Sequence, residues 1–251
     1  MYKKIRQLLI GLSRIPNLFF GFNIYVVPEK LSLLRTAFSK ITPRPQSFAD
    51  LGGVWKVNAG YSRYLLKKFP IKQGYMVDTD YPEKVVRILN TFPQFKRIAG
   101  NFGSHDIAAA FEKVDTILLF DVLLHQVAPD WQEILEMYAP KTRSFIIYNQ
   151  QLINAPKTLR LTDLPLQTYK EYAPVRSDSL YDFVYSHQQE LHPQHQKIWK
   201  NIHNIWQWGI TDEDLIAEMQ KFGFKEIFRK NYGRFSDLKH FENHGFVFVR
   251  K

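Results

Sequence analysis

The stretch "SFADLGGVWKVNAGY", residues 47–61, places an acid beside glycines at the end of an apolar run. Asp50 lies in that run, Gly52 and Gly53 follow it, and Gly60 opens a helix-like pattern. Glycines allow backbone N–H groups to approach a ligand closely and tolerate unusual φ angles. An acid among them suits a ligand that carries a cationic amine or sulfonium. By itself, such a turn could serve any nucleotide.

Two further apolar runs end in groups that suit an adenosine. "YMVDTD" places Asp78 and Asp80 after one run, where a carboxylate can accept hydrogen bonds from both ribose hydroxyls. Asp78 is the preferred candidate because it comes first after the run, and Asp80 remains the alternative. "AGNFGS" places Asn101 and Phe102 after the next run, where an amide and a ring can read and stack an adenine.

The fourth apolar run, "LLFDVLLHQ", ends at Asp121, with His125 four residues later. If a helix begins there, the two side chains lie on one face. Imidazole has the intrinsic pKa range of a general base, so His125 is the candidate catalytic residue. A purely structural hydrogen bond is an equally good interpretation. Asp121 with Asn149 nearby could hold a metal, but "IIYNQ" adds no carboxylate and we predict no metal site.

Short apolar strands alternate with helical patterns through the first half of the chain. We predict strands over 47–51, 74–77, 95–99, 116–120 and 143–149, with helices over 59–69, 82–89, 107–111 and 131–138. This alternation is typical of crossover units and a parallel sheet covered on both faces. Ligands bind such sheets at the carboxyl ends of their strands. A capped helix from Thr211 or Asp212 to Gly223 then precedes two closing strands, which we expect to pair antiparallel.

These segments together resemble class I S-adenosylmethionine (SAM)-dependent methyltransferases. "FADLGGVWKVNAGY" is similar to the first motif of that family, "YMVDTDYPE" to the second, "IAGNFGS" to the third and "LLFDVLLHQVAPDW" to the fourth. "FIIYNQ" resembles the fifth strand, and "FGFKEI" and "GFVFVRK" the closing strands. The resemblance covers residues 47–149 and the stretch from about 211. It implies a Rossmann-like, seven-stranded, mostly parallel sheet with an antiparallel last strand and helices on both faces.

SAM is the cofactor that the resemblance implies, and it also implies which residues bind it. The expected contacts are Asp50, Gly52, Gly53, Asn58, Gly60, Asp78, Thr79, Asn101, Phe102, Asp121 and Val122. The sequence departs from the family pattern at two points. Gly53 follows Gly52 directly, with "VWKVNA" before Gly60, and Asn101 stands where the family commonly has an acid.

We expect an N-terminal helical extension over 1–46 and a SAM-binding domain over 47–251. Within that domain, residues 151–209 break the alternation and form an insertion on the substrate side. An amphipathic helix over 2–12 could contact a membrane surface, although docking on the domain is the preferred interpretation. Interruption of the first apolar run by Arg14 and Pro16 argues against a spanning helix.

The formal net charge of +10 and the pI of about 9.6 favour anionic partners without choosing among them. The chain has no cysteine, which excludes disulfides, a thiolate nucleophile and a cysteine-ligated zinc. We predict a cytoplasmic methyltransferase acting on a small-molecule acceptor, with O-methylation favoured because of His125. One alternative is a nucleic-acid methyltransferase, although the chain has no Asn-Pro-Pro-Tyr-type motif after the fourth strand. The other is a non-catalytic or membrane-associated binding protein. The oligomeric state is open.

Overall fold

The computed structural model describes residues 26–173, 178–193, 197–201, 205–234 and 238–251. The predicted amphipathic helix over 2–12 lies outside this part of the chain. Within it, no helix is long and apolar enough to cross a membrane.

Seven strands of the described residues form one sheet with the order β3-β2-β1-β4-β5-β9-β8. They are β1 (Ser47–Leu51), β2 (Gln73–Asp78), β3 (Phe95–Ala99), β4 (Thr116–Phe120), β5 (Ser144–Leu152), β8 (Phe224–Arg234) and β9 (Phe241–Arg250). β1 pairs parallel with β2 and β4, and β2 pairs parallel with β3. The closing pair, β8 and β9, is antiparallel as predicted. A separate two-stranded antiparallel pair joins β6 (Leu159–Arg160) to β7 (Trp208–Gly209).

The helices between these strands follow the predicted alternation. Along the chain they are α1 (Pro28–Lys40), α2 (Gly60–Lys68), α3 (Glu83–Leu89), α4 (His105–Ala109), α5 (Trp131–Tyr138), α6 (Leu166–Tyr172), α7 (Asp178–Ser186) and α8 (Asp212–Lys221). Two of them have side-chain caps that explain where they begin. Asp130 forms a capping box with Glu133 at α5, and Thr211 accepts the backbone N–H of Asp214 at α8.

The chain divides into two compact units. The N-terminal unit comprises residues 1–120 and 140–147, and the C-terminal unit comprises residues 121–139 and 148–251. β4 is buried along its whole length, and in the neighbouring β1 Phe48, Ala49 and Leu51 are at most 1% exposed. α1 belongs to this unit and packs the ring of Phe38 against that of Phe69, with 4.4 Å between centroids.

The core of the C-terminal unit is built from β5, β9 and the predicted insertion. Its buried members are Leu124, Leu152, Leu161, Tyr169, Ala173, Tyr181, Val184, Ile205, Trp206 and Phe241. Tyr169 is fully buried, and its hydroxyl donates to the carbonyl oxygen of Trp206 at 3.1 Å. The insertion therefore has a packed core of its own residues.

β5 extends further than the sequence pattern predicts. We expected the strand to end at Asn149, and it continues to Leu152 with all nine residues buried. The polar run Asn149–Gln151 therefore lies inside a buried strand, which alternation of apolar residues could not reveal. This difference matters for the candidate site because Gln150 contacts one of the predicted site residues.

Candidate functional site

The turn after β1 combines a backbone hydrogen bond with a backbone conformation that favours glycine at position 52. The N–H of Gly52 donates to the carbonyl oxygen of Val77 at 2.8 Å, and Gly52 has φ 76°. That left-handed conformation strains any residue with a Cβ atom. The turn thus joins the end of β1 to the end of β2, where the second predicted acid lies.

Asp50 lies directly against Gly53. A Cβ atom on Gly53 would stand 2.4 Å from Oδ2, 2.6 Å from Cγ and 2.7 Å from Oδ1 of Asp50. The hydroxyl of Ser62 donates to Asp50 Oδ2 at 2.6 Å. Gly53 is therefore required by a side chain three residues earlier. Ser62, in the first turn of α2, is a site residue that sequence reasoning missed.

Burial changes the protonation of Asp50. The residue is 1% exposed, and this burial raises the pKa of its carboxyl from 3.8 to about 6. The Ser62 hydrogen bond opposes the rise, the charge of Asp78 adds to it, and the charge of Lys30 opposes it. Lys30 is itself only 5% exposed, with its ammonium 5.5 Å from the centroid of the Tyr61 ring. A cation brought to Asp50 would favour its ionised form.

Asp78 fastens the loop that follows the glycines. Its Oδ2 accepts the backbone N–H of Val54 at 2.9 Å, and its Oδ1 accepts the N–H of Thr79 at 2.8 Å. Burial raises the pKa of Asp78 although these hydrogen bonds lower it. The backbone N–H of Asp80 also lowers the pKa of Asp78, so about one of the four acceptor sites of the carboxylate remains for a ribose hydroxyl. Asp80, the alternative candidate, is exposed.

The loop from Val54 to Gly60 is a closed turn with unusual backbone angles. The N–H of Asn58 donates to Val54 O at 2.8 Å, and that of Gly60 donates to Val57 O at 2.8 Å. Lys56, Asn58 and Ala59 all have positive φ, between 48° and 60°. Strained backbone of this kind concentrates at functional sites. Asn58 and Gly60, two predicted cofactor contacts, therefore belong to the same strained turn.

The end of β3 approaches the end of β2, as the sequence predicts. The N–H of Gly100 donates to Asp78 O at 2.9 Å, and the next two residues are Asn101 and Phe102. Asn101 Oδ1 accepts the N–H of Gly103 at 2.9 Å, which fixes the orientation of the amide. Asn101 is exposed and Phe102 half-buried. The N-terminal unit thus brings together nine of the predicted contacts: Asp50, Gly52, Gly53, Asn58, Gly60, Asp78, Thr79, Asn101 and Phe102.

Asp121 lies in the C-terminal unit and is held by β5. It has φ 56°, its N–H donates to Tyr148 O at 2.8 Å, and its Oδ1 accepts from Gln150 Nε2 at 2.8 Å. The same Gln150 nitrogen lies 3.2 Å from Asn243 Oδ1. Gln150 and Asn243 are buried, and neither was predicted. The neighbouring contact that was predicted, Val122, is half-buried.

His125 ends a short 3₁₀ turn, Leu123–His125. Asp121 and His125 would share a face only if an α-helix began at Asp121. The segment instead forms a 3₁₀ turn, which has three residues per turn, so that condition is not met. His125 Nδ1 lies 3.0 Å from the carbonyl oxygen of Ile205. A carbonyl only accepts, so Nδ1 carries the proton and Nε2 keeps the lone pair that a base needs.

Within the described residues, no group of three His, Asp or Glu side chains could hold a metal ion.

Solved structures share this fold at low sequence identity. The N-terminal domain of EvdMO1, solved in the presence of SAH and D-fucose, has a TM-score of 0.55 at 12% identity, over 89% of this chain and 82% of that one. Burkholderia thailandensis 1,6-didemethyltoxoflavin-N1-methyltransferase, solved with 1,6-didemethyltoxoflavin and S-adenosylhomocysteine, has a TM-score of 0.54 at 11% identity, over 98% and 87%. The N-methyltransferase NodS from Bradyrhizobium japonicum WM9 has a TM-score of 0.51 at 10% identity, over 89% and 86%.

By sequence, neither a protein-family model nor a curated protein matches the chain. The structural likeness, together with the strand order, shows that the chain has the Rossmann-like fold of class I SAM-dependent methyltransferases. The fold that the resemblance implied is confirmed.

Proposed function

We propose that the protein is a SAM-dependent methyltransferase that modifies a small-molecule acceptor. The observation that carries this proposal is the pair Asp50 and Asp78, a buried and a half-buried carboxyl with raised pKa at the ends of adjacent strands. Perturbed acids in such a position favour a binding site over a structural ion pair. The structural neighbours named above, which were solved with SAH, support the same cofactor.

The residues of the N-terminal unit fit the three parts of SAM. Asp50, with the turn over 52–60, would hold the cationic methionine end. Asp78 and Thr79 would hold the ribose, and Asn101 with Phe102 would hold the adenine. Asp50 fits this role because a neighbouring cation offsets the cost of ionising it in a buried place. Asp121 and Val122 in the C-terminal unit are further proposed contacts.

His125 is the proposed general base. SAM would supply a methyl group activated by the adjacent sulfonium. The protein must then orient the acceptor and take its proton, and Nε2 of His125 has the lone pair for that step because Nδ1 is engaged by Ile205 O. A hydroxyl acceptor loses its proton as the oxygen–carbon bond forms, so a base of this kind favours O-methylation.

The distribution of charge supports a small acceptor over a nucleic acid. The N-terminal unit contains 20 Lys and Arg against 8 Asp and Glu, whereas the C-terminal unit contains 14 against 16. The positive charge thus belongs to the unit with the proposed cofactor contacts, and the unit with His125 is slightly acidic. The unit with the proposed base therefore lacks the excess of basic residues that nucleic-acid binding needs.

Calorimetric titration with SAM and SAH tests the cofactor assignment. We expect both to bind the wild-type chain, and absence of binding for both would overturn the proposal. Methyl transfer is then followed as SAH release from SAM in the presence of an acceptor. His125→Gln should lower kcat by about 100-fold or more with SAH affinity unchanged, because only the base is lost. Equal kcat values for His125→Gln and wild type would remove His125 from its role. A cytoplasmic location remains a prediction.

A further inference from the structure

A cleft in the C-terminal unit lies outside the predicted cofactor contacts. Its volume is about 560 Å³, and its polar lining includes Thr162, Asp163, Tyr185, Gln188 and Lys200. Small-molecule sites in proteins have volumes of roughly 300–1,000 Å³. The cleft belongs to the predicted insertion, between the 3₁₀ turn Leu161–Asp163 and α7. It therefore has the size of a ligand site in a segment with a packed core.

The inner wall of the cleft is built from buried polar groups. Thr162 is 2% exposed, and its hydroxyl donates to Gln207 Oε1 at 3.1 Å. Gln207 is fully buried, and its Nε2 donates to Lys200 O at 3.0 Å. With its proton engaged by Gln207, the Thr162 oxygen can still accept from a ligand hydroxyl. Gln188 Nε2 lies 3.5 Å from Thr162 O and adds an amide to this wall.

The charges at the cleft are balanced. Asp163 forms an ion pair with Lys200, and the Asp163 side chain is 54% exposed while that of Lys200 is 19% exposed. Burial, with the charge of Asp163, raises the pKa of Tyr185, so its hydroxyl stays neutral and donates to Leu161 O at 3.4 Å. A free phosphate or carboxylate would compete with Asp163 for the ammonium of Lys200. Alternating donors and acceptors without excess charge suit hydroxyl groups, which both donate and accept.

One segment joins this cleft to the proposed base. The N–H of Gln207 donates to Leu124 O at 3.0 Å, and Gln207 O accepts the N–H of Leu161 at 2.8 Å. Two residues earlier, Ile205 O is the partner of His125 Nδ1. The segment 205–207 therefore contacts both the 3₁₀ turn that ends in His125 and the wall that carries Thr162.

We propose that this cleft binds a neutral, hydroxyl-rich small molecule of monosaccharide or cyclitol size. Tyr185, Leu164 and Pro165 offer apolar surface to the C–H groups of such a ring, while Asp163, Thr162 and Gln188 bind its hydroxyls. This assignment rests on the cleft alone and is independent of the proposed methyltransferase function.

Ligand-observed NMR on the full chain tests binding without the cofactor. The probes are free neutral monosaccharides and cyclitols, with the corresponding sugar phosphates as a charged comparison. We expect neutral probes to bind, and Asp163→Asn and Thr162→Val each to weaken them by about tenfold. The matched control is Asp182→Asn, because Asp182 is 55% exposed and pairs with Lys170 at 2.9 Å in the same unit. Asp182→Asn should leave binding unchanged.

The outcomes separate the cleft from the proposed function. No binding of any neutral probe, tighter binding of the sugar phosphates, or equal effects of Asp163→Asn and Asp182→Asn would overturn the cleft assignment. SAH titration is measured in parallel, and its affinity should be the same for Asp163→Asn and wild type. Failure of SAH to bind overturns the methyltransferase proposal while the NMR result stands.

Discussion

Carboxylates that are buried or half-buried occupy both edges of the sheet in the N-terminal unit, and they differ in how completely they are paired. At the amino edge, Asp115 Oδ2 accepts the N–H groups of Gln46 at 2.7 Å and Ser47 at 3.0 Å. Its Oδ1 accepts from Arg143 Nε at 2.8 Å. At the carboxyl edge, Asp50 has a hydroxyl partner in Ser62, and Asp78 has backbone N–H partners.

The pKa shifts at the two edges have opposite signs. Burial alone would raise the pKa of Asp115, but the hydrogen bonds from Arg143, Gln46 and Ser47 outweigh it and lower the pKa. Burial dominates at Asp50 and Asp78, and both pKa values are raised. Asp115 therefore stabilises the fold in its ionised form, whereas ionised Asp50 and Asp78 cost folding free energy. A ligand that supplies hydrogen-bond donors or positive charge would stabilise the ionised carboxylates, as expected at an edge that binds a ligand.

The largest effect is expected for Asp78→Ala. The substitution removes a charge-assisted hydrogen bond to the ribose and the acceptor of the Val54 and Thr79 N–H groups, for roughly 4 kcal/mol together, so SAH affinity should fall by about 1,000-fold in calorimetric titration. The matched control is Asp80→Ala, which removes the exposed acid two residues later and should change affinity by less than about threefold. A larger loss for Asp80→Ala than for Asp78→Ala would transfer the ribose role to Asp80.

Asp50→Asn should stabilise the fold in a pH-dependent way. The folded-state pKa of Asp50 is raised to about 6 from 3.8. The wild type therefore loses free energy of unfolding as pH rises from about 4 to 6, and the loss is complete above that range. At pH 7 the variant should exceed the wild type by about 3 kcal/mol in free energy of unfolding, and the two should converge below about pH 4. Urea unfolding at several pH values measures both.

The same substitution should weaken SAH, because the buried negative charge that faces its ammonium is gone. Wild-type affinity should fall as pH decreases below about 6, while the affinity of Asp50→Asn should stay level there. A stabilised variant with unchanged SAH affinity would leave Asp50 as a strained structural acid and remove it from the cofactor site.

At the opposite edge, Asp115→Ala should destabilise the fold without touching ligand affinity. Loss of the carboxylate leaves Arg143 and the N–H groups of Gln46 and Ser47 without their acceptor, for about 2 kcal/mol. Asp106→Ala, an exposed acid in the first turn of α4, is the control and should change stability by less than 0.5 kcal/mol or so. Reduced SAH affinity in the folded Asp115→Ala protein would contradict the division between the two edges.

At these edges, the sequence could predict the features that depend on residues close together along the chain. β1, β3, β4 and α5 have the predicted bounds, because a continuous apolar run or a capped helix is a local signal. Asp50, Asp78 and Asn101 could be proposed as site residues because a strand end is also a local signal, and the parallel order brings such ends together. Ser62 was missed although it lies only 12 residues from Asp50, since nothing distinguishes a buried helix serine from an exposed one before packing is known.

The C-terminal unit was harder to predict because its contacts join distant residues. Gln150 lies 29 residues from Asp121 and 93 from Asn243 along the chain, and an amide inside an apolar run carries no periodic signal. The cleft in the insertion is a similar case, since Thr162 and Gln207 are 45 residues apart. Only packing shows which polar groups of the insertion are buried together.

The smallest of these effects, and the most specific, is expected at Gly53. A methyl group there must displace the Asp50 carboxyl, because all three carboxyl atoms would stand within 2.7 Å of it. Gly53→Ala should cost about 1.5 kcal/mol in urea unfolding, the usual range for one inserted methyl group in a packed place. In an Asp50→Ala background those three atoms are gone, so the same substitution should cost almost nothing.

Gly100→Ala supplies the control for that cycle, since its Cβ would meet Ile107 Cδ1 at 2.3 Å instead. Its cost should be equal with and without Asp50, because the two clashes share no atoms. Equal costs of Gly53→Ala in both backgrounds would mean that the turn moves as a whole and that Asp50 does not shape it. A cost that disappears with Asp50 would show that the glycine is there to let a buried acid approach the turn, and hence that position 53 serves the binding edge.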